Sequence, residues 1–406
     1  MTGHHRAVPI VLLAVLVDTI GFGIVLPVLP TLVAHLGRVD MASASRIGGW
    51  LLAVYALTHF FAGPILGSLG DRYGRRPVLL GALLVFATDY LLMAFAPDLA
   101  WLFVCRIIAG IAGAVYGPAN AALADVTPPD RRGATFGLMG AAFGLGFVLG
   151  PALGGLLAGF GPRAPFLVAG GLALVNAIWI ALALPETLDT DHRRPFRWSR
   201  ANPFGAFAPL AAAGGALPLI FASFVWQLAH MVYPATWAFW AELALGWNAQ
   251  AIGLSLAASG IAMAVSQAVI TGPFIRRYGE RAAAVTGMVA GVVIFAGYAM
   301  VSRGWMVFPL IVVGALQGLV FPSINALLSR MVDARNQGAL QGGMASVASI
   351  AAIIGPLMLT QTLAAGTERG VPGAAFALAS ALAGCALLIL WIGVIRRLPS
   401  APASGD

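Results

Sequence analysis

The chain of 406 residues is 60% hydrophobic and only 9% charged, with a mean hydropathy of +0.91. Soluble domains carry about 25% charged residues, so this composition excludes a soluble globular protein and points to an integral membrane one. The net charge of +8 comes wholly from arginine; 17 of the 23 arginines fall in alternate loops, the positive-inside bias of a membrane topology rather than a nucleic-acid-binding face.

Twelve apolar runs are each about 20 residues or longer, enough to cross a hydrocarbon core of about 30 Å. Their limits are 8–35, 46–69, 77–96, 99–123, 133–159, 164–184, 213–242, 248–271, 281–301, 305–329, 338–363 and 371–395. The arginine-rich loops follow the even-numbered spans, which places both termini in the cytoplasm. Spans 2 and 3 are joined by Gly67-Ser68-Leu69-Gly70-Asp71-Arg72-Tyr73-Gly74-Arg75-Arg76-Pro77, whose charges must lie in water or at the headgroups. Gly70 and Gly74 permit a tight turn there, and Pro77 sits where the next helix begins.

A decayed copy of this loop recurs 205 residues later at Gly272–Arg281. Asn120-Ala121 and Asn325-Ala326, Gly133-Ala134 and Gly338-Ala339, and Gly150-Pro151 and Gly355-Pro356 repeat at the same offset. A fixed long period means two related halves. The expected fold is an all-α membrane protein of two pseudo-symmetric six-helix bundles around a central cavity, residues 1–184 and 213–406, with a cytoplasmic linker over 185–212.

Of the 15 acidic residues only Asp18 and Asp89 lie well inside a span, and Arg106 is the only base that does. Intramembrane charges normally face the bundle interior and mark ion or proton pathways. Asp18, near the middle of span 1, can load and unload a proton, because removal from water disfavours a charged carboxylate; the alternative is an acid neutralised by hydrogen bonds for packing. Asp89 is expected towards the rim of its bundle, as a proton or substrate group or as a polar anchor. Arg106 needs an acceptor, expected to be Asp18 or carbonyls of a broken first helix.

These three charges belong to the first half, so the second half is read as the selective wall. Gln227, His230, Gln267, Gln317, Asn325 and Gln341 are its candidate substrate contacts, each equally readable as an interhelical hydrogen bond. Trp226, Tyr233, Trp237 and Trp240 recur at helical spacing on span 7, as lipid-facing packing or as a stacking wall for an aromatic cargo. His59 in span 2 is a proton relay or a satisfied interior histidine. In span 5, Gly146, Gly150, Pro151, Gly154 and Gly155 form a small-residue hinge and packing surface. Cys105 and Cys385 suggest neither a disulfide framework nor a metal site, and no P-loop or nucleophile–base pair indicates an enzyme.

The loop Gly67–Arg76, the span-1 pattern Ile20-Gly21 with Pro27-Val28-Leu29-Pro30, the set Leu102, Arg106 and Gly110 in span 4, and the glycine–proline pattern of span 5 together resemble the major facilitator superfamily, in particular its twelve-span drug/proton antiporters. Arg75–Leu80, Asp89–Leu92, Gly246-Trp247-Asn248 and Gln337–Gly342 are similar to the tetracycline efflux antiporters. That resemblance implies a proton-coupled efflux antiporter, a monomer of the bacterial inner membrane, exchanging protons for an amphiphilic small molecule that can arrive as a metal chelate. It needs no cofactor, bound metal or nucleic acid. It implies coupling roles for Asp18, Asp89 and Arg106 and a gating role for Gly67, Asp71, Arg72, Arg75 and Arg76, with Asp71 holding the start of span 11 near Gly338 in one conformation and releasing it in the other. Gly291 and Met263 stand where those antiporters carry an acid and a histidine. Proton-coupled symport, export of an endogenous metabolite and a non-transporting sensor are the alternative functions.

Overall fold

The computed structural model describes residues 4–113, 116–128, 131–198, 202–206, 216–332 and 337–395. Arg200, Arg335, Arg396 and Arg397 of the positive-inside reading lie outside the described residues. Span 1 is two helices, His4–Val25 and Leu29–Gly37, interrupted where Pro27 removes a backbone donor and restarted with Pro30 in the first turn. Span 2 is Met41–Tyr73, span 3 Arg75–Ala94, span 5 Arg132–Leu157 and span 6 Ala164–Ala183. Span 4 comprises Leu99–Ala112 and Tyr116–Val126.

In the second half, span 7 comprises Leu217–His230 and Val232–Leu245, and span 12 begins with Ala374–Leu390. Spans 8 and 9 run together over Ala249–Ala299, but Gly279 (φ 80°, ψ 165°) turns the chain between them, so this stretch is two crossings. Span 8 contains a π-helical segment, Ser266–Thr271. Span 10 has a 3-10 segment, Ala315–Leu319, between Val307–Gly314 and Val320–Arg330. Span 11 is Gln337–Glu368. Spans 2, 4 and 8 begin alike: the side chains of Asp40, Asp98 and Asn248 each accept the N–H three residues on, at 2.9 Å. Two hydrogen bonds from Ser43 hold the Asp40 carboxyl below the usual carboxylate range.

Helix contacts follow the repeat. Span 1 packs on 5 and 6, 3 on 6, and 4 on 2 and 3; six spans later, 7 packs on 11 and 12, 9 on 12, and 10 on 8 and 9. Two seams join the sets, span 2 against span 11 and span 5 against span 8, with the second helix of span 7 also touching span 2. The span-5 glycines explain how closely the helices approach. A Cβ on Gly146 would lie 2.9 Å from the Leu16 carbonyl, and one on Gly150 would lie 2.7 Å from the Ile20 carbonyl. Gly154 abuts the backbone of Ile24, while Gly155 faces Ala249 and Gln250 of span 8. Backbone cannot move aside as a side chain can, so only glycine fits.

Both seams are in close contact at one end, and glycines on their faces are uncovered at the other. Near the ends of the bundles remote from the linker, Gly49 of span 2 meets Pro356 and Thr360 of span 11, and Arg46 pairs with Glu368 at 2.7 Å. Gly253 of span 8 meets Pro151, and Gly260 meets Val148. At about 100° per residue, Gly63 and Gly67 share the face of Gly49, while Gly137 and Gly144 share that of Gly155. All four point into open space at the linker end, as does Gly342 of span 11. At this end the linker segment Pro203–Ala206 packs on both span 2 and span 11, with Phe204 against Phe60 and Phe61.

The steric argument predicts opposite results for two glycines of one helix. Gly150→Ala should destabilise the protein by about 1 to 3 kcal/mol, and Gly144→Ala should stay within about 0.5 kcal/mol of wild type. Thermal melts of the purified variants compare the two directly.

Candidate functional site

Three charged side chains sit within the first bundle, and they are not equivalent. Asp89 is 0% exposed and faces inward, correcting the rim position expected from sequence. Its Oδ2 accepts a hydrogen bond from the Arg106 guanidinium at 3.2 Å, so Arg106 is paired with Asp89 rather than with Asp18 or the broken first helix. The pairing works because spans 3 and 4 are antiparallel neighbours and each presents its charge to the other at the same depth. Arg106 also reaches the Met93 sulfur at 2.6 Å, and its guanidinium carbon lies 6.0 Å from the centre of the Tyr55 ring. Buried charges persist in low dielectric only when paired in this way.

Asp18, 7% exposed, has no such partner: no ion pair within 4 Å reaches it among the described residues. Its neighbour Thr19 donates to the Val15 carbonyl at 2.7 Å and shares a 2.8 Å hydrogen bond with the Tyr116 hydroxyl. Tyr90 lies over Gly21, one turn further along span 1. His59 stacks on Tyr55 at 6.0 Å, with its Nδ1 buried against Gly113 and unpartnered.

In the second bundle the polar candidates gather at the irregular segments. The 3-10 segment of span 10 presents Gln317, whose Nε2 donates to the Tyr233 hydroxyl at 3.0 Å, and frees the Gly318 carbonyl, which Gln267 of the π-segment reaches at 3.0 Å. His230 packs against Trp226, Tyr233 and Phe295 at 5.5, 5.2 and 6.2 Å. Gln227 makes a long 3.4 Å contact to Ser223 of its own helix, Asn325 is half-buried and Gln341 is exposed.

Trp237 corrects the sequence reading: it is 2% exposed, its indole N–H donates to Ser255 at 2.9 Å, and it packs with Trp240, Tyr298 and Phe376. Trp240 is buried in the same cluster, so these tryptophans form the bundle's aromatic core and are neither lipid-facing nor open to a cargo. Gly291 accommodates the Trp226 ring, and Met263 lies against Gly318.

At the linker end, Arg75 is a hub that is mostly buried. It pairs with Asp71 at 2.8 Å and with Asp125 of span 4 at 3.1 Å. Glu186, just after span 6, accepts the backbone N–H groups of Arg75, Thr187 and Leu188 at 2.8, 3.0 and 3.1 Å, capping span 3 with a negative charge where the helix dipole favours one. Arg76 donates to the Ala181 carbonyl, the Arg72 guanidinium stacks over Tyr73 at 5.0 Å, and the backbone of Arg194 donates to the Asp71 carbonyl at 2.9 Å. Asp71 is thus engaged within its own bundle in this conformation. Glu186 was missed in the sequence, where it read as one more linker charge.

The second bundle carries the same contact with the signs exchanged: Glu280 pairs with Arg330, and these positions lie 205 residues beyond Arg75 and Asp125.

Comparison with known proteins follows the geometry. The family model described as the Major Facilitator Superfamily matches residues 11–356 and 219–405. The chain is 39% identical to the tetracycline resistance protein, class C, of Escherichia coli over 97% of both chains. It is 40% identical to the class G protein of Vibrio anguillarum, over 86% of this chain and 88% of that one. Among solved structures it is similar to the human organic anion transporter MFSD10, with a TM-score of 0.72 at 23% identity over 96% of this chain and 100% of that one. A bacterial homolog of the human lysosomal transporter Spinster, in an inward-facing and unoccupied conformation, matches with a TM-score of 0.74 at 15% identity over 97% and 96% of the two chains.

The pairing of Asp89 with Arg106 sets a stability test. Arg106→Ala strands a buried carboxylate and should cost about 3 to 5 kcal/mol. The double variant Arg106→Leu with Asp89→Leu, which removes both charges, should recover most of that loss in the same thermal melts.

Proposed function

Because the chain belongs to the major facilitator superfamily, whose members are membrane transporters, we propose that it is a proton-coupled efflux antiporter working by alternating access. The observation that carries this reading is the asymmetry between the two buried acids. Asp89 is compensated by Arg106, which leaves Asp18 as the group whose charge can change without breaking an ion pair. A membrane acid in that position is a proton carrier. The arginine bias supports a cytoplasmic position for the linker end.

In that orientation cargo enters the cavity from the cytoplasm while Asp18 releases its proton. Closure of the linker end and opening of the Arg46–Glu368 end then let the cargo leave and a new proton enter. One proton moving down 100 mV supplies about 2.3 kcal/mol. The similarity to tetracycline resistance proteins makes a tetracycline-like amphiphile the first cargo to test. His230 and Tyr233, both half-buried, offer it ring surfaces. With Trp226 packed over Gly291 and a thioether at Met263, those two positions give it no charged or metal-binding contact. A different amphiphilic cargo, which does not rely on a chelated metal, is the second reading, and this arrangement favours it.

Energised inverted vesicles containing the protein decide between export and uptake. Added tetracycline, or another exported amphiphile from a susceptibility panel, should drive protons out of the vesicles, and Asp18→Asn should abolish that signal. A proton movement in the opposite sense would identify symport.

A further inference from the structure

The hydrogen bonds beside Asp18 fix where one proton resides. A threonine hydroxyl has a single O–H, and that of Thr19 is committed to the Val15 carbonyl at 2.7 Å. The 2.8 Å bond between Thr19 and Tyr116 is therefore donated by the phenol. Tyr116 is the first described residue of the segment Tyr116–Val126 of span 4, the span that also carries Arg106. The phenol ring is seated edge-on against Phe143 of span 5 at 5.7 Å. Nine residues along the same helix, about 14 Å at 1.5 Å per residue, Asp125 holds the Arg75 hub, which holds Asp71 in turn. One short helix thus has its first turn fastened beside the unpaired acid and its last turn fastened to the 67–76 loop.

We propose that Tyr116 is a positioning residue that transmits the charge state of Asp18 through the helix Tyr116–Val126 to the Arg75 hub; the inference rests on Asp18 being the proton site. When Asp18 is neutral, the phenol O–H remains on Thr19, the arrangement seen here. When Asp18 is ionised, its carboxylate is the stronger acceptor, since hydrogen bonds to ionised groups are shorter and roughly twice as strong. The phenol O–H then turns from Thr19 to Asp18, and the first turn of the helix moves with it. No covalent bond forms or breaks in this exchange. Only the acceptor of one O–H changes.

Tyr55 and His59 of span 2, Tyr90 of span 3, which lies over Gly21, and Tyr116 of span 4 are the titratable groups that the neighbouring helices bring to this part of the bundle. Arg106 and Asp89 are held to each other. Span 6 contributes no ionisable side chain, and span 5 only Arg132 at its far end.

The test uses the full chain in detergent with Cys385→Ser and Gly67→Cys, the latter on the seam face that is open in this conformation. The rate of labelling by a water-soluble maleimide, divided at each pH by the rate for the same cysteine in the denatured protein so that thiol ionisation cancels, is followed as pH crosses neutrality. In this background the rate should change with pH by about fivefold or more, the lower end of typical coupling. Asp18→Asn should flatten the response. Tyr116→Phe, which keeps the ring against Phe143, and Thr19→Val should flatten it as well, whereas Thr19→Ser should preserve it.

A normal response in Tyr116→Phe and Thr19→Val alongside a flat one in Asp18→Asn overturns the role of Tyr116 and leaves the proton site standing. A normal response in Asp18→Asn overturns both. If Tyr116→Phe does not accumulate, the two Thr19 variants test the same contact from its other side, and valine responding like serine overturns the inference.

Discussion

An unpaired charge inside a membrane protein is costly, and the first bundle is arranged around how that cost is met. Arg106 cannot be neutralised by losing a proton, so it takes a permanent acid partner on the adjacent span, Asp89. That commitment leaves Asp18 to exist without a counter-ion, among tyrosines rather than arginines. Of the two buried intramembrane acids, it is the one that can change charge while the Arg106–Asp89 pair stays intact. Arg106 lies in the segment Leu99–Ala112 of span 4, and Tyr116, whose hydroxyl bonds Thr19 next to Asp18, begins the segment Tyr116–Val126.

The two-fold repeat supplies the frame in which such a change matters. Spans 4 and 10 both lose regular α-helix at corresponding positions, after Ala112 in one and through Ala315–Leu319 in the other. Irregular turns inside a span expose carbonyls that need donors, and Gln267 meets the one at Gly318. Both seams clasp at the end remote from the linker, while near the linker glycines on spans 2 and 5 are uncovered and the Pro203–Ala206 segment lies on spans 2 and 11. Each half ties its third helix to its fourth by an ion pair of opposite polarity, Arg75–Asp125 and Glu280–Arg330.

Most of the architecture was legible in the sequence because it rests on composition and period: the apolar runs, the 205-residue repeat and the stripe of small residues in span 5. Contact partners were less so. The Arg106–Asp89 pair depends on the relative height and rotation of two helices, which neither helix alone encodes. Trp237 and Trp240 looked like an interfacial aromatic ladder, yet the aromatic side chains Tyr298 and Phe376 of spans 9 and 12 enclose them. The exchange of signs between Arg75 and Glu280 hid a structural equivalence, because reversing both charges erases the sequence match while keeping the contact. Glu186 reads as linker until the end of span 3 is seen beneath it.

Infrared difference spectroscopy across a pH titration of the solubilised protein is the most direct measurement of the central claim, that Asp18 is the buried acid that changes charge. The account predicts a protonated-carboxyl band that titrates in wild type, persists in the Arg106–Asp89 double leucine variant and is missing from Asp18→Asn. A titrating band of undiminished intensity in Asp18→Asn would contradict it.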